Sequence, residues 1–297
     1  MTATIETPDP AAGAGPAAGP ARPGLLRRSL RRPASALAAG YLGLLVLAAV
    51  AAPLLAPHDP NLQDLANRFA GPSAEHLLST DEFGRDVASR LVHAARVSLA
   101  APLISLAVAI ALGVPTGLLA GLRRGPFDAV ANRISDTLLA IPAIVLALAI
   151  VAVLGPSLTN AMVAIGIVFA PQLFRVIRGA ALVVAEETYI ASAAAIGCRT
   201  SRIVFRHVLP NIRAPLLVQV TLLMGFALLV EASLSFLGLG VQPPEASWGS
   251  MLKAAYDNQF EAPYAVLPPG IALMCTVLAF NVLGDSIRDA VAGGRTR

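Results

Sequence analysis

The side chains that most often carry chemistry are sparse in this sequence, and their spacing assembles no reaction centre. His58, His76, His93 and His207 form no H-E-x-x-H pair that would set two imidazoles on one helix face, and no Gly-x-Ser-x-Gly elbow presents a nucleophile. Lys253 is the one lysine; it follows Met251 and Leu252 and precedes two alanines. A nucleotide-phosphate loop needs a glycine-rich turn ending in Gly-Lys-Ser/Thr, so the chain has none. Cys198 and Cys275 have no partner at metal or redox spacing, which excludes a disulfide framework. These patterns predict no catalytic residue, no metal site and no cofactor bound by the chain itself. Two acids remain: Asp136 and Glu231 stand within apolar runs, where a charge must face the protein interior, a water-filled path or the interface.

The elements that position these residues are set by composition. Hydrophobic residues make up 56% and charged residues 13% of the 297, against about 25% charge in a soluble domain. Apolar runs at 34–55, 97–122, 134–154, 158–174, 214–237 and 266–283 each approach the ~20 residues needed to cross a bilayer core. The chain is therefore expected to be an all-α polytopic membrane protein of about six spans. Ala49-Val50-Ala51 has the form of a signal-peptidase site, but the first run exceeds the about 7–15 apolar residues of a signal peptide and is read as an uncleaved span.

Arginine placement orients the spans. Seventeen of the 22 basic residues fall on one side when the N-terminus is placed inside, so both termini are expected in the cytoplasm of a multi-pass protein of the cytoplasmic membrane. Their dispersal between apolar runs excludes a nucleic-acid partner, which would require a basic face. Lipid is the surrounding partner. The sequence divides into a disordered cytoplasmic tail at 1–33, a first span and extracytoplasmic segment at 34–96, a transmembrane domain at 97–290 and a C-terminal tail at 291–297. Gly113, Pro115, Gly117 and Gly121 in the second span and Pro142 in the third loosen helices or allow close packing.

One stretch cannot span: residues 175–213 carry Arg175, Arg178, Glu186, Glu187, Arg199, Arg202, Arg206 and Arg213. Within it, 186–196 predicts a short helix with acids in its first turn, favoured by the helix dipole. Tyr189, Ala193 and Ile196 recur at helical spacing and define one small, apolar side. Gly197 stops that helix. Thr200 or Ser201 caps a second one running through His207, and Pro210 ends it, because proline lacks an N–H and biases Leu209 away from the α region.

This stretch, AEETYIASAAAIGCRTSRIVFRHVLPN, resembles the cytoplasmic coupling (EAA) loop of ABC importer permeases, E-A-A-x-x-x-G followed by I-x-L-P. The triplet falls on Ala191, Ser192 and Ala193, so the family's glutamate is alanine here and its first alanine is serine. STDEFGRDVASRL (79–91), EASLSFLGLGVQPPEASWGSML (231–252) and FNVLGDSIRDA (280–290) are similar to further segments of the dipeptide/oligopeptide/nickel permease family, in its C-type subunit. The resemblance implies ATPase coupling through Glu187, Tyr189, Ala191, Ser192, Ala193, Ile196, Gly197, Leu209 and Pro210, and a translocation path that Asp136 and Glu231 would line. It implies a paralogous permease subunit, two cytoplasmic ABC ATPases that hold ATP and Mg, and an extracytoplasmic solute-binding protein. Peptides are the expected cargo; nickel or another small solute is the alternative within the family. An ATP-independent secondary transporter or channel is the alternative outside it, and needs paired broken helices in matching halves, which the sequence lacks.

Overall fold

The computed structural model describes residues 32–292, and among them the regular structure is helical. Helix α1, Pro33–Val50, opens on a proline at its first turn, where the missing N–H is no loss. Leu37, Leu44, Leu47 and Val50 project from it uncovered, as suits a surface bathed in lipid tails. A short turn α2, Ala52–Leu55, follows, and then an irregular polar segment leads to Asp86.

Helix α3, Val87–Leu122, is longer than the apolar run inside it. Asp86 caps it by accepting from the Ser89 N–H at 2.7 Å, so the helix starts ten residues before the expected span. The third apolar run is not one straight span. It divides into α4, Pro126–Ala140, and α5, Ala143–Leu154, bent by 96°. Pro142 is the cause: it forces Ile141 out of the helical region, to φ −88° and ψ 131°, as proline does to the residue before it.

Helix α6, Leu158–Ala185, is capped by the Ser157 side chain and runs well past residue 174, so Arg175 and Arg178 sit on a helix and not in a loop. Next come α7, Thr188–Ala195, and α8, Thr200–Ile203. A π turn, Val204–Val208, then feeds directly into α9, Leu209–Phe236. Pro210 therefore does not end the second helix of the loop. The Leu209 N–H reaches back to the Val204 carbonyl, and this wider turn accommodates a proline that an unbroken α-helix would resist. Thr200–Phe236 is one continuous helix of 37 residues.

Helix α10, Trp248–Asp257, had no counterpart among the apolar runs. Ser247 and Ser250 cap it reciprocally, and the buried Trp248 donates from its backbone N–H to Ser98 Oγ and from Nε1 to the Leu91 carbonyl, both at 3.1 Å. The segment after α9 is thereby clamped to the start of α3. Helix α11, Leu267–Ala292, returns alongside α1; Arg32 pairs with Asp289, and the Ser35 and Ser286 hydroxyls bond to each other.

The centre of the bundle is the seam between α3 and α6. Cβ atoms added at Gly113 and Gly117 would lie 2.7 and 2.8 Å from the carbonyl oxygens of Ala170 and Phe174, and one at Gly121 would lie 2.7 Å from the Ala181 Cβ. Gly166 on the facing helix is similarly closed, 2.6 Å from the Ser105 carbonyl. Four-residue glycine spacing puts these positions on one stripe, so the two backbones touch, and dispersion between them holds the helices where no hydrophobic drive operates. Gly117→Leu is expected to prevent this seam from closing. Overpacking costs typically about 1–3 kcal/mol, and backbone cannot yield as a side chain can. Membrane-integrated protein recovered as a monodisperse peak should fall several-fold, and recovery at the wild-type level would refute the seam.

Candidate functional site

The 186–213 segment turns on Gly197. Helix α7 starts with the Glu187 carbonyl accepting from the Ile190 and Ala191 N–H groups. It ends where the Cys198 N–H reaches back to the Ala193 carbonyl at 3.1 Å, with Gly197 at φ +79° between them. This six-to-one bond around a left-handed residue is the Schellman stop, and glycine adopts that conformation without steric cost. The helix is shorter than 186–196, with Glu186 and Glu187 before its first turn and Ile196 beyond its last.

The apolar side of α7 is split. Ile190 is buried in a cluster that includes Ile203, Val208 and Ile212, and Ala193 is buried as well. Tyr189 and Ile196, placed with Ala193 by helical spacing, point outward instead. The Tyr189 hydroxyl accepts from Asn211 Nδ2 at 2.9 Å, which ties α7 to the start of α9. Ile196 is 82% exposed, and Phe205 on the π turn is 69% exposed. Together with Gly197, Cys198, Arg199, Ser201 and Arg202 they line one open hollow. Ala191 and Ser192 are exposed on α7, Glu187 is exposed just before it, Pro210 is exposed, and Leu209 is half-buried. Glu187, Ala191, Ser192, Ile196, Gly197 and Pro210 thus lie on the surface, whereas Ala193 anchors the helix from beneath. The sequence pattern missed Ile190, which lies three residues before Ala193 and could have been found by that spacing, and Phe205.

Three ion pairs brace the base of this site. Arg178 holds Asp128 through Nε and Nη2 at 2.5 and 2.7 Å, and Asn132 donates to the same carboxylate at 2.7 Å. Arg175 pairs with Asp136 at 2.6 Å, and Arg124 with Glu186. The first two fasten α4 along α6, and the third fastens the end of α3 to the entry of α7. Fixed side chains of this kind hold a surface in register, although exposed pairs add little stability.

Asp136 is thus half-exposed and charge-paired on α4. Glu231 is 0% exposed within α9; its Oε1 accepts from Ser235 Oγ at 2.7 Å, and its Oε2 has no partner among the described residues. The two acids sit on different helices, α4 and α9, and each is held by a different partner.

A family model described as "Binding-protein-dependent transport system inner membrane component" matches residues 113–296, and one described as "N-terminal TM domain of oligopeptide transport permease C" matches residues 25–72. The dipeptide transport system permease protein DppC of Alkalihalophilus pseudofirmus is 45% identical over 83% of this chain and 81% of its own length. The glutathione transport system permease protein GsiD of Pectobacterium atrosepticum is 41% identical over 89% and 88%. The probable D,D-dipeptide transport system permease protein DdpC of Escherichia coli is 41% identical over 89% of each chain. Among solved structures, an inward-facing conformation of the MetNI methionine ABC transporter shares the fold, with TM-score 0.55 and 21% identity over 68% of this chain and 95% of that one.

Proposed function

Because the chain belongs to the family of binding-protein-dependent transport system inner membrane components, we propose that it forms half of the translocation path of an ATP-driven importer whose cargo is short peptides. It is a non-catalytic, multi-pass membrane subunit. ATP and Mg are held by two separate cytoplasmic ATPases, a paralogous permease completes the path, and an extracytoplasmic binding protein delivers the cargo. The membrane is the cytoplasmic one.

The observation that carries this reading is the α7 surface. A short helix is stopped by a left-handed glycine; beyond it Ile196 and Phe205 face outward, and Phe205 belongs to a helix that runs unbroken from Thr200 through the π turn into the membrane-crossing α9. A motor subunit gripping that surface moves α9 directly. Peptide cargo is favoured by the dipeptide and peptide permeases among the relatives. Reconstitution in proteoliposomes with partner ATPases and binding protein should give ATP-dependent uptake of a labelled dipeptide or tripeptide. Uptake of nickel but not peptide would assign the cargo otherwise, and the chain without ATPases should hydrolyse no ATP.

Both termini and α7 face the cytoplasm in this reading. The arginine bias supports it, as does the Arg32–Asp289 pair, which sets the N-terminal end of α1 beside the C-terminal end of α11. Cysteines placed at the exposed positions Ser73 and Glu261 should react with an impermeant maleimide on intact spheroplasts, and one at Ser201 should react only after permeabilisation. Labelling of Ser201→Cys in sealed cells would invert the map.

A further inference from the structure

The irregular segment between α2 and α3 brings together three side chains that are far apart in sequence. The ring nitrogen His76 Nδ1 lies 3.1 Å from Asp86 Oδ1, and His58 Nδ1 lies 4.0 Å from Asp86 Oδ2. The two imidazole centroids are 5.0 Å apart. One donor atom from each residue falls within 4.8 Å of the others. We propose that His58, His76 and Asp86 form a binding site for a divalent transition ion of the zinc type, one that staples the extracytoplasmic segment to the start of α3.

Charge is the first support. Asp86 is 2% exposed, and a buried carboxylate needs a compensating positive charge. Arginines stand nearby, but they are taken elsewhere: Arg85 pairs with Asp81 and Glu82, and Arg90 with Asp81 and the Pro60 carbonyl. Asp86 receives the Ser89 N–H and has a ring nitrogen of each imidazole within 4.0 Å of its carboxylate. Two nitrogens and one carboxylate oxygen form the donor set that suits zinc, with a fourth position left for water.

The second support is an orphan atom. His58 Nδ1 is shielded from solvent and has no hydrogen-bond partner among the described residues, although it is directed at the carboxylate. An imidazole nitrogen left without a partner, 4.0 Å from an acid and beside a second imidazole, is placed as a ligand would be. Third, the frame is held independently of any ion. The His58 N–H donates to Ser89 Oγ at 3.0 Å, the His76 N–H donates to Ser73 Oγ at 3.0 Å, and the His76 carbonyl accepts from the Ser73 N–H at 2.9 Å. The remaining two histidines lie apart: His93 Nδ1 is 3.0 Å from the Ser89 carbonyl, and His207 lies beside Tyr189.

The probe is zinc chloride added to the assembled transporter carrying this chain without a polyhistidine tag, washed metal-free, at pH 7.5. Expected is one Zn2+ per chain at micromolar free zinc by elemental analysis, with a rise in the unfolding temperature. Cobalt in its place should show the intense visible bands of a four- or five-coordinate ion. His58→Gln and Asp86→Asn should each weaken zinc binding at least ten-fold. Both should fold, since His58 Nδ1 makes no bond in the protein and asparagine serves as a helix cap as well as aspartate does. The double variant is the reference for metal bound elsewhere on the complex. Equal zinc stoichiometry in the wild type and the double variant would overturn the site. So would an absence of zinc binding by the wild type.

Discussion

Replacing Gly197 with valine is expected to abolish ATP-driven uptake while the protein still inserts in the membrane at near-normal level. At φ +79° an L-residue costs roughly 1–2 kcal/mol, and a β-branched one more, because its Cβ meets the following carbonyl. Space is not the obstacle, since a Cβ at this position meets nothing within 4 Å. The strain is therefore relieved locally, by unwinding the bond from the Cys198 N–H to the Ala193 carbonyl, and α7 loses its fixed angle to α8. Packing among the spans does not depend on that angle, but the coupling surface does. Uptake per unit of membrane protein should fall at least ten-fold, and ATPase stimulation by loaded binding protein should vanish with it. Gly197→Asn separates conformation from chemistry, because asparagine tolerates the left-handed region; it should keep most of the uptake. Wild-type transport by Gly197→Val would reduce this turn to a connector.

A second large effect is expected at Phe205. With 69% of its surface exposed beside the 82% exposed Ile196, it gains little from the subunit's own fold, and exposed substitutions away from special features usually shift stability by less than about 0.5 kcal/mol. Apolar anchors of this kind carry most of the binding energy when they enter a partner's pocket. Phe205→Asp, alone or with Ile196→Asp, should leave expression and detergent monodispersity unchanged. Co-purification with the ATPase subunits should drop by ten-fold or more, and uptake should be lost in parallel. The conservative Phe205→Leu should retain association. Full ATPase recovery on Phe205→Asp would place the motor's grip elsewhere on the loop.

The sequence made α7 legible because a terminal glycine is a local signal, which survived folding in the Gly197 stop; the apolar face read at Tyr189, Ala193 and Ile196 instead runs through Ile190 and Ala193. Span lengths were less legible. An apolar run reports where lipid is, and helices continue beyond it wherever a cap or ion pair supports them, as Asp86 does for α3 and Asp128 does for α6 through Arg178. Proline gave two opposite outcomes. Pro142 broke its run as its covalent geometry demands, whereas Pro210 was absorbed by a π turn that no local rule foretells. Phe205 reads in sequence like any other apolar residue near a span, and only its tertiary surroundings reveal it as uncovered. The His58–His76–Asp86 grouping was invisible for another reason. Its members lie in irregular backbone, where no period relates sequence distance to spatial distance.

The π turn at Val204–Val208 also fixes a phase. Each residue added to an α-helix advances its face by about 100°, and a π turn is one residue held in excess of the α repeat. Thr200–Phe236 extends about 55 Å at 1.5 Å per residue, longer than the roughly 30 Å hydrocarbon core of a bilayer, so the angular setting of α8 is read out at the far end of one rod. Deleting Arg206 would convert the turn to plain α-helix and keep nearly all of the local composition. Because the wider turn stores the extra residue, its removal would leave α8 and the rest of α9 at nearly their present angle, whereas a residue inserted in the plain α-helical part would turn one end about a quarter-turn against the other. The π turn thus works like a slip joint in a shaft, taking up one residue while the two ends keep their angular setting.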